Sequence, residues 1–252
     1  MGASHILLTA SNNIAGVQRW VESSTVMTEQ FQPVIAMYRD HFTAQPHCKV
    51  LKIDQQWPGN VKRFIHMKSV ITHLGANRWF LWSDCADVVF QRAPVFFDTF
   101  GKDIRAIVCS EGVTVGEKPE LAPFLSNPRF SSLKDLPLHN AGFFAIRGDF
   151  FIEFIDFISS VVATMKVVPT GVDQLLFNYW IAQKRQSIIT NESLCLNVSN
   201  RFIDTENCTV GDLKDGQGML VNGRFVNRLE AEYPIIHANG TSKMILQRWK
   251  QK

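Results

Sequence analysis

Apolar and polar positions along this chain change their period several times, and each change marks an element. His5-Ile-Leu-Leu-Thr-Ala-Ser11 is an apolar run ending in small polar residues, as in a short buried strand. From Ile14 to Tyr38 apolar and polar residues mix with helical spacing, broken at Gln32-Pro33. Lys49 to Asp54 alternates as a second strand. Pro58-Gly59-Asn60 reads as a turn, with Asn60 placed to cap a helix that runs to about Leu74 and ends at Gly75-Ala76-Asn77. Arg78 to Ser83 carries the unbroken apolar run Trp79 to Trp82, apolar enough to be a strand buried on both faces. Ile104 to Ser110 and Ala141 to Arg147 read as further strands. The segment between them, Glu111 to Leu138, is rich in Pro, Ser, Lys and Glu and predicts a long functional loop with short helical turns. Asp149 to Lys166 is helical, with Asp149, Glu153 and Asp156 on one face and Phe, Ile and Val on the other, a packing helix and not a membrane span. Thr170 to Lys184 is another helix. Met219 to Val226 reads as a hairpin around Asn222-Gly223, and Ser242 to Gln251 as a closing helix.

Strands alternating with helices over the first two thirds predict an α/β fold with a doubly wound sheet, whose ligands sit at the carboxyl ends of its strands. The 252 residues suffice for one large domain or two small ones, and 46% hydrophobic against 19% charged residues predicts a packed core. A formal charge of +3 is far from the footprint of a duplex-DNA binder and suits a small anionic ligand. The five cysteines, Cys48, Cys85, Cys109, Cys195 and Cys208, have no C-x-x-C spacing, which argues against a zinc site; free thiols in a reducing compartment are expected. Met1 to Ala10 has no basic stretch before its apolar run, so no secretory signal is read there and a cytoplasmic location is expected. Sequons at Asn191, Asn197, Asn207 and Asn239 leave the secretory lumen as the alternative.

Candidate chemistry concentrates in two separated segments, Asp84-Cys-Ala-Asp87 after the apolar strand and His237-Ala-Asn-Gly240-Thr-Ser-Lys243 near the end. Residues three apart on a regular strand point to opposite faces, so both aspartates can meet one ion only if the chain bends right after Trp82. A surface turn closed by Asx hydrogen bonds explains the same pair; placement directly after a buried strand favours the metal. His237 follows a short apolar run and by itself is a core or rim histidine. Gly240 and Lys243 alter that, because glycine lets backbone approach a phosphate and lysine supplies a point charge. Two carboxylates and an imidazole suit Mn2+, with Mg2+ possible, and such an ion stabilises a departing diphosphate.

Asp84-x-x-Asp87, Leu138-His-Asn140-Ala141-Gly142-Phe-Phe144, Asp173-Gln174-x-x-Phe-Asn178 and His237-x-Asn-Gly-x-x-Lys243 follow one another in an order that resembles GT-A glycosyltransferases. The likeness is to the glycosyltransferase domains of collagen lysyl hydroxylases and, more distantly, to family 8 retaining glycosyltransferases. Ser110-Glu111-Gly112 resembles a further segment of the collagen enzymes, and the whole covers roughly Ile6 to Lys243. The resemblance implies a GT-A fold as a single domain, a mixed doubly wound sheet flanked by helices. Its nucleotide-binding part would span about 1–110 and its acceptor part about 111–252. It implies Asp84, Asp87 and His237 as ligands of Mn2+, with Asp84 also near the ribose or uracil. Gly240 and Lys243 would meet the diphosphate, Thr9 the uridine, Lys68 the nucleotide-sugar, and Asn140, Ala141 and Gly142 the sugar. The implied activity is hexosyl transfer from a UDP-sugar to a hydroxyl of a glycan or protein; the charge balance and the sequence pattern separately lead us to expect no nucleic-acid partner and no transmembrane segment. Ala238 and Thr241 stand where the collagen enzymes have Gly and Pro, and no acidic run precedes Asp173.

Two assignments stay open at this level. Thr170-Gly-Val-Asp173 fits a capping box with Asp in its fourth position, while the resemblance makes Asp173 and Gln174 catalytic at the sugar. Glu111 is a second acidic candidate, and His66, His73 and His139 read as surface or loop residues. The rival functions are a nucleotidyltransferase, disfavoured because Thr9-Ala-Ser-Asn-Asn13 has no glycine or lysine for a phosphate loop, and an inactive sugar-nucleotide or glycan-binding module.

Overall fold

The computed structural model describes residues 4–38, 42, 45–56, 58–94, 100–198, 219–221, 224–226, 231–238 and 246. Its strands are β1 (His5–Ser11), β2 (Phe31–Tyr38), β3 (Lys49–Ile53), β4 (Trp79–Ser83), β5 (Val88–Phe90), β6 (Ala106–Thr114), β7 (Pro137–Arg147), β8 (Ile188–Thr190), β9 (Cys195–Val198), β10 (Met219–Val221), β11 (Arg224–Val226) and β12 (Ile235–Ala238). The helices are α1 (Ile14–Ser24), α2 (Asn60–Leu74), the short α3 (Ala122–Leu125), α4 (Gly148–Val162) and α5 (Val172–Gln183).

Seven strands form one mixed sheet in the order β3-β2-β1-β4-β7-β6-β8. The first four are parallel to one another, β7 runs antiparallel between β4 and β6, and β8 is parallel to β6. The expected α/β class and mixed sheet flanked by helices are therefore present. Residues alternate between the faces, as strand geometry requires. Ile6, Leu8, Phe80, Trp82, Phe144 and Ile146 pack on one side against α2, α4 and α5. Leu7, Leu81, Phe143 and Ala145 pack on the other against α1 and a three-stranded sheet of order β5-β12-β9. β10 and β11 pair antiparallel, Val221 opposite Arg224, as the hairpin reading requires.

Several boundaries differ from the sequence reading. The helix expected from Ile14 to Tyr38 stops at Ser24, where the Ser23 and Ser24 hydroxyls donate to the carbonyls of Trp20 and Val21; a 3-10 turn follows, and Phe31–Tyr38 is strand β2. Pro33 is tolerated there because β3 reaches only as far as Val34, so no ladder bond is needed from it on that side. Asn60 begins α2 and does not cap it; the cap position is Gly59. The Thr170–Asp173 capping box does not form either. α5 starts at Val172 behind Gly171, whose φ of 82° is a left-handed conformation natural to glycine, and no side chain caps it. The loop between β6 and β7 does carry short helical turns, but β6 extends to Thr114 and β7 begins at Pro137. His139 is consequently a buried strand residue and not a loop histidine.

Chain order reverses at β1, which has β2 on one side and β4 on the other. The crevice of an open α/β sheet opens at such a point, outside the carboxyl ends of the two strands. Here those ends are Ser11 and Ser83, and Asp84 is the next residue after β4. Among the described residues no helix is long and apolar enough to cross a membrane. The closing helix expected at Ser242 to Gln251 lies, Leu246 apart, outside the described residues.

Candidate metal centre

Asp84 extends the ladder of β4 by one step, its backbone N–H donating to the Gly142 carbonyl at 2.7 Å. The chain then turns and re-enters a different sheet as β5 at Val88, which is the bend that Asp84 and Asp87 need to face one point. The Asp87 carbonyl accepts the Ala238 N–H at 2.8 Å and so ties that turn to β12. His237 sits in the middle strand of the small sheet, opposite Val88 on β5 and Asn197 on β9. One ligand atom from each of Asp84, Asp87 and His237 lies within 4.8 Å of the others. His237 is fully enclosed, and Asp84 is partly open.

Two observations test whether these groups suit a cation. His237 Nε2 is buried without a hydrogen-bond partner and stands 3.8 Å from Asp87 Oδ1, beyond hydrogen-bond range, while its Nδ1 is 3.1 Å from Asn197 Oδ1. A Cβ added at Gly142 would meet Asp84 Oδ2 at 2.8 Å, His237 Cε1 at 2.9 Å and Asn140 Oδ1 at 3.0 Å, so the groups converge over a glycine that leaves them room. An orphaned imidazole nitrogen beside two carboxylates, above a floor without a side chain, fits a divalent ion that accepts mixed oxygen and nitrogen ligands.

Arg63 on α2 is the cation already present. Its Nη1 is 2.8 Å from Asp84 Oδ1, and its guanidinium lies over the rings of Phe64 and Trp82 at 5.3 and 5.4 Å. Burial works against the Arg63 charge, but Asp84 and Asp173 outweigh it and hold the guanidinium protonated above its ordinary range. Burial likewise pushes the Asp84 carboxyl up; Arg63 opposes that shift, and the neighbouring Asp87 adds to it.

Behind Gly142 lies a buried polar network. Glu111 Oε1 accepts from Asn140 Nδ2 and Gln174 Nε2, each at 3.0 Å, and its Oε2 pairs with Lys118 Nζ at 2.6 Å. Asn140 Oδ1 accepts the Gly142 N–H at 2.6 Å, and Gln174 Oε1 accepts the Ala141 N–H at 2.9 Å. Asn178 holds both backbone groups of His139. The Asn140-Ala141-Gly142 strand is thus pinned from α5 through amide side chains.

Of the residues singled out from sequence, Asp84, Asp87, His237, Asn140, Ala141 and Gly142 come together. Gln174 joins them with both amide atoms engaged in holding β7. Asp173 stands in the first turn of α5, half-buried and within electrostatic reach of Arg63. Thr9 is buried in β1, its hydroxyl without a hydrogen-bond partner. Lys68 is not brought to this group; exposed, it pairs with Asp156 on α4 at 2.6 Å, about 7.5 Å along the helix from Arg63. Gly240 and Lys243 lie outside the described residues. Arg63, Lys118 and the pairing role of Asn197 escaped the sequence reading. Arg63 left a signal: it shares the buried stripe of α2 with Met67 and Val70, where an unpaired arginine is rare. Asn197 left none, since its role depends on a strand register set forty residues away. The described cysteines, Cys48, Cys85, Cys109 and Cys195, are free and buried. No protein-family model matches this chain, and a search of curated proteins found no significant relative.

Proposed function

We propose that this protein is a metal-dependent glycosyltransferase of GT-A type that takes a sugar from a UDP-sugar. The observation that carries the reading is the convergence of Asp84, Asp87 and His237 just past the carboxyl end of β4, where the chain order reverses. Asp84, Asp87 and His237 would hold Mn2+, or Mg2+, which when bound supplies positive charge to the diphosphate as it leaves. The chain's own residues do the rest. Arg63 keeps Asp84 oriented toward the crevice through a charge-assisted contact. Asn140 and Gln174, both fixed by Glu111, hold the backbone around Gly142 as a rigid wall beside the metal ligands. Asp173 makes no capping bond and lies within electrostatic reach of Arg63, and it would orient an acceptor hydroxyl or meet positive charge at the anomeric carbon. Gly240 and Lys243 take the diphosphate by resemblance to the family.

A panel of nucleotide-sugars tested for hydrolysis with Mn2+ decides the matter. The expected result is UDP release that stops with chelator and is abolished in Asp84→Ala and Asp87→Ala; Asp84→Ala also lowers the melting temperature, because it leaves the buried Arg63 guanidinium without its carboxylate, so circular dichroism accompanies the assay to show that the variant is folded. Undiminished turnover in both variants, or in chelator, would refute the metal-dependent reading.

A further inference from the structure

We propose that Asn197 is a positioning residue that fixes the tautomer of His237 and thereby aims a nitrogen lone pair at the point between Asp84 and Asp87. The deduction begins at a backbone carbonyl. Asn197 Nδ2 donates to the Ser110 carbonyl at 2.8 Å, and a carbonyl can only accept, so the amide cannot flip. Its Oδ1 must therefore face His237, at 3.1 Å from Nδ1. An amide oxygen also only accepts, so Nδ1 carries the hydrogen, and in the neutral ring Nε2 is left with its lone pair exposed. Nε2 is the buried atom without a hydrogen-bond partner, and it faces the carboxylates. The opposite tautomer would place two acceptors, Nδ1 and Oδ1, against each other and turn an N–H toward the place where a cation has to sit.

The register of two strands makes this possible. β9 and β12 run parallel with Asn197 directly beside His237, and a slip of one residue would bring Leu196 or Val198 there instead. The Ser110 carbonyl belongs to β6 of the main sheet, so the chain Ser110–Asn197–His237 also relays the position of the large sheet to the small one. Metal-bound histidines commonly depend on such an outer acceptor, whose loss weakens binding roughly 10–100-fold.

The inference rests on the metal reading above, and its test separates the two. Imidazole nitrogen NMR shifts of His237 are measured on metal-free protein at a pH above the ordinary histidine range, in the parent, Asn197→Ala and Asn197→Asp. Mn2+ affinity is measured on the same samples by the paramagnetic signal of the free ion. The parent and Asn197→Asp, which keeps an acceptor, should show the Nδ1–H tautomer. Asn197→Ala should lose it and bind Mn2+ roughly 10–100-fold more weakly at an unchanged fold, judged by circular dichroism. An Nδ1–H tautomer and parental Mn2+ affinity in Asn197→Ala would overturn the assignment while leaving the metal site standing. A parent that binds no Mn2+ but whose tautomer still depends on Asn197 would instead remove the metal reading and keep the positioning role.

Discussion

Gly142 shows how one missing side chain can shape a site. Its backbone is claimed on both sides, the N–H by Asn140 Oδ1 and the carbonyl by the Asp84 N–H, so it cannot retreat from an added methyl group. That methyl would lie under 3 Å from both Asp84 Oδ2 and His237 Cε1. Gly142→Ala should therefore push the two ligands apart and lower Mn2+ affinity at least tenfold, a difference of about 1.4 kcal/mol. The packed sheet should survive, so calorimetric titration with Mn2+ and a thermal melt belong together; parental affinity with an intact melt would show that the cradle is roomier than the contacts imply. Asp84 and Asp87 were legible in the sequence because they follow a strong local element, an apolar strand; Asn140 to Gly142 came from the family resemblance alone, since the strand read there began only at Ala141. Arg63 and Asn197 were not legible, because their partners are distant in the chain and only tertiary pairing selects them.

Elements were legible where burial is one-sided, or where a short apolar run stands between clear breaks as in β1 and β4, and obscured where a strand buried on both faces follows a helix without such a break. α4 has a polar face and an apolar face, and its start was read to within one residue, although it ends at Val162 and not at Lys166. β2 was mistaken for helix because Phe31, Val34, Ile35 and Tyr38 fall at helical spacing by accident, while a strand buried on both faces has no alternation to betray it. α5 carries two predictions. Glu111 receives two amide donors from β7 and α5 and pairs with Lys118, so Glu111→Ala leaves the buried Asn140 amide without its acceptor and the half-buried Lys118 ammonium with only Glu120 at 3.8 Å, while Gln174 keeps its bond to the His139 carbonyl. Unfolding in urea should show a loss of about 1–3 kcal/mol, the cost of leaving a buried polar group unsatisfied. A loss under about 1 kcal/mol, the value of an exposed pair, would mean that solvent replaces the carboxylate. Asp173, by contrast, makes no capping bond, and its charge at the start of the helix contributes only about 0.3–1 kcal/mol. Asp173→Asn should thus leave the melt nearly unchanged and, under the proposed function, lower kcat by orders of magnitude. Normal turnover in that variant would take Asp173 out of the reaction.

At the scale of the molecule, the candidate metal ligands join two sheets that pack face to face. Asp84 leaves the seven-stranded sheet, Asp87 enters the three-stranded one, and His237 sits in the middle of the latter; apolar side chains such as Phe143, Val88 and Ile235 fill the space between. An ion held by all three belongs to the native state alone, since the unfolded chain separates Asp87 from His237 by most of its length. Binding must then stabilise folding by mass action, about 2.7 kcal/mol at a hundredfold excess of ion over its Kd. For a chain of this size each kcal/mol moves the melting temperature by roughly 2–4 °C, so saturating Mn2+ should raise it by about 5–10 °C. Chelator should reverse the rise, and Asp87→Asn or His237→Ala should abolish it without access to any substrate, because the readout is the fold and not turnover. The rise should also grow with the logarithm of Mn2+ concentration beyond saturation, which distinguishes a native-state ligand from a general salt effect on a mildly basic protein. A melting temperature indifferent to Mn2+ across that range would mean that the Asp84, Asp87 and His237 cluster holds no ion, and the glycosyltransferase reading would lose the observation on which it stands.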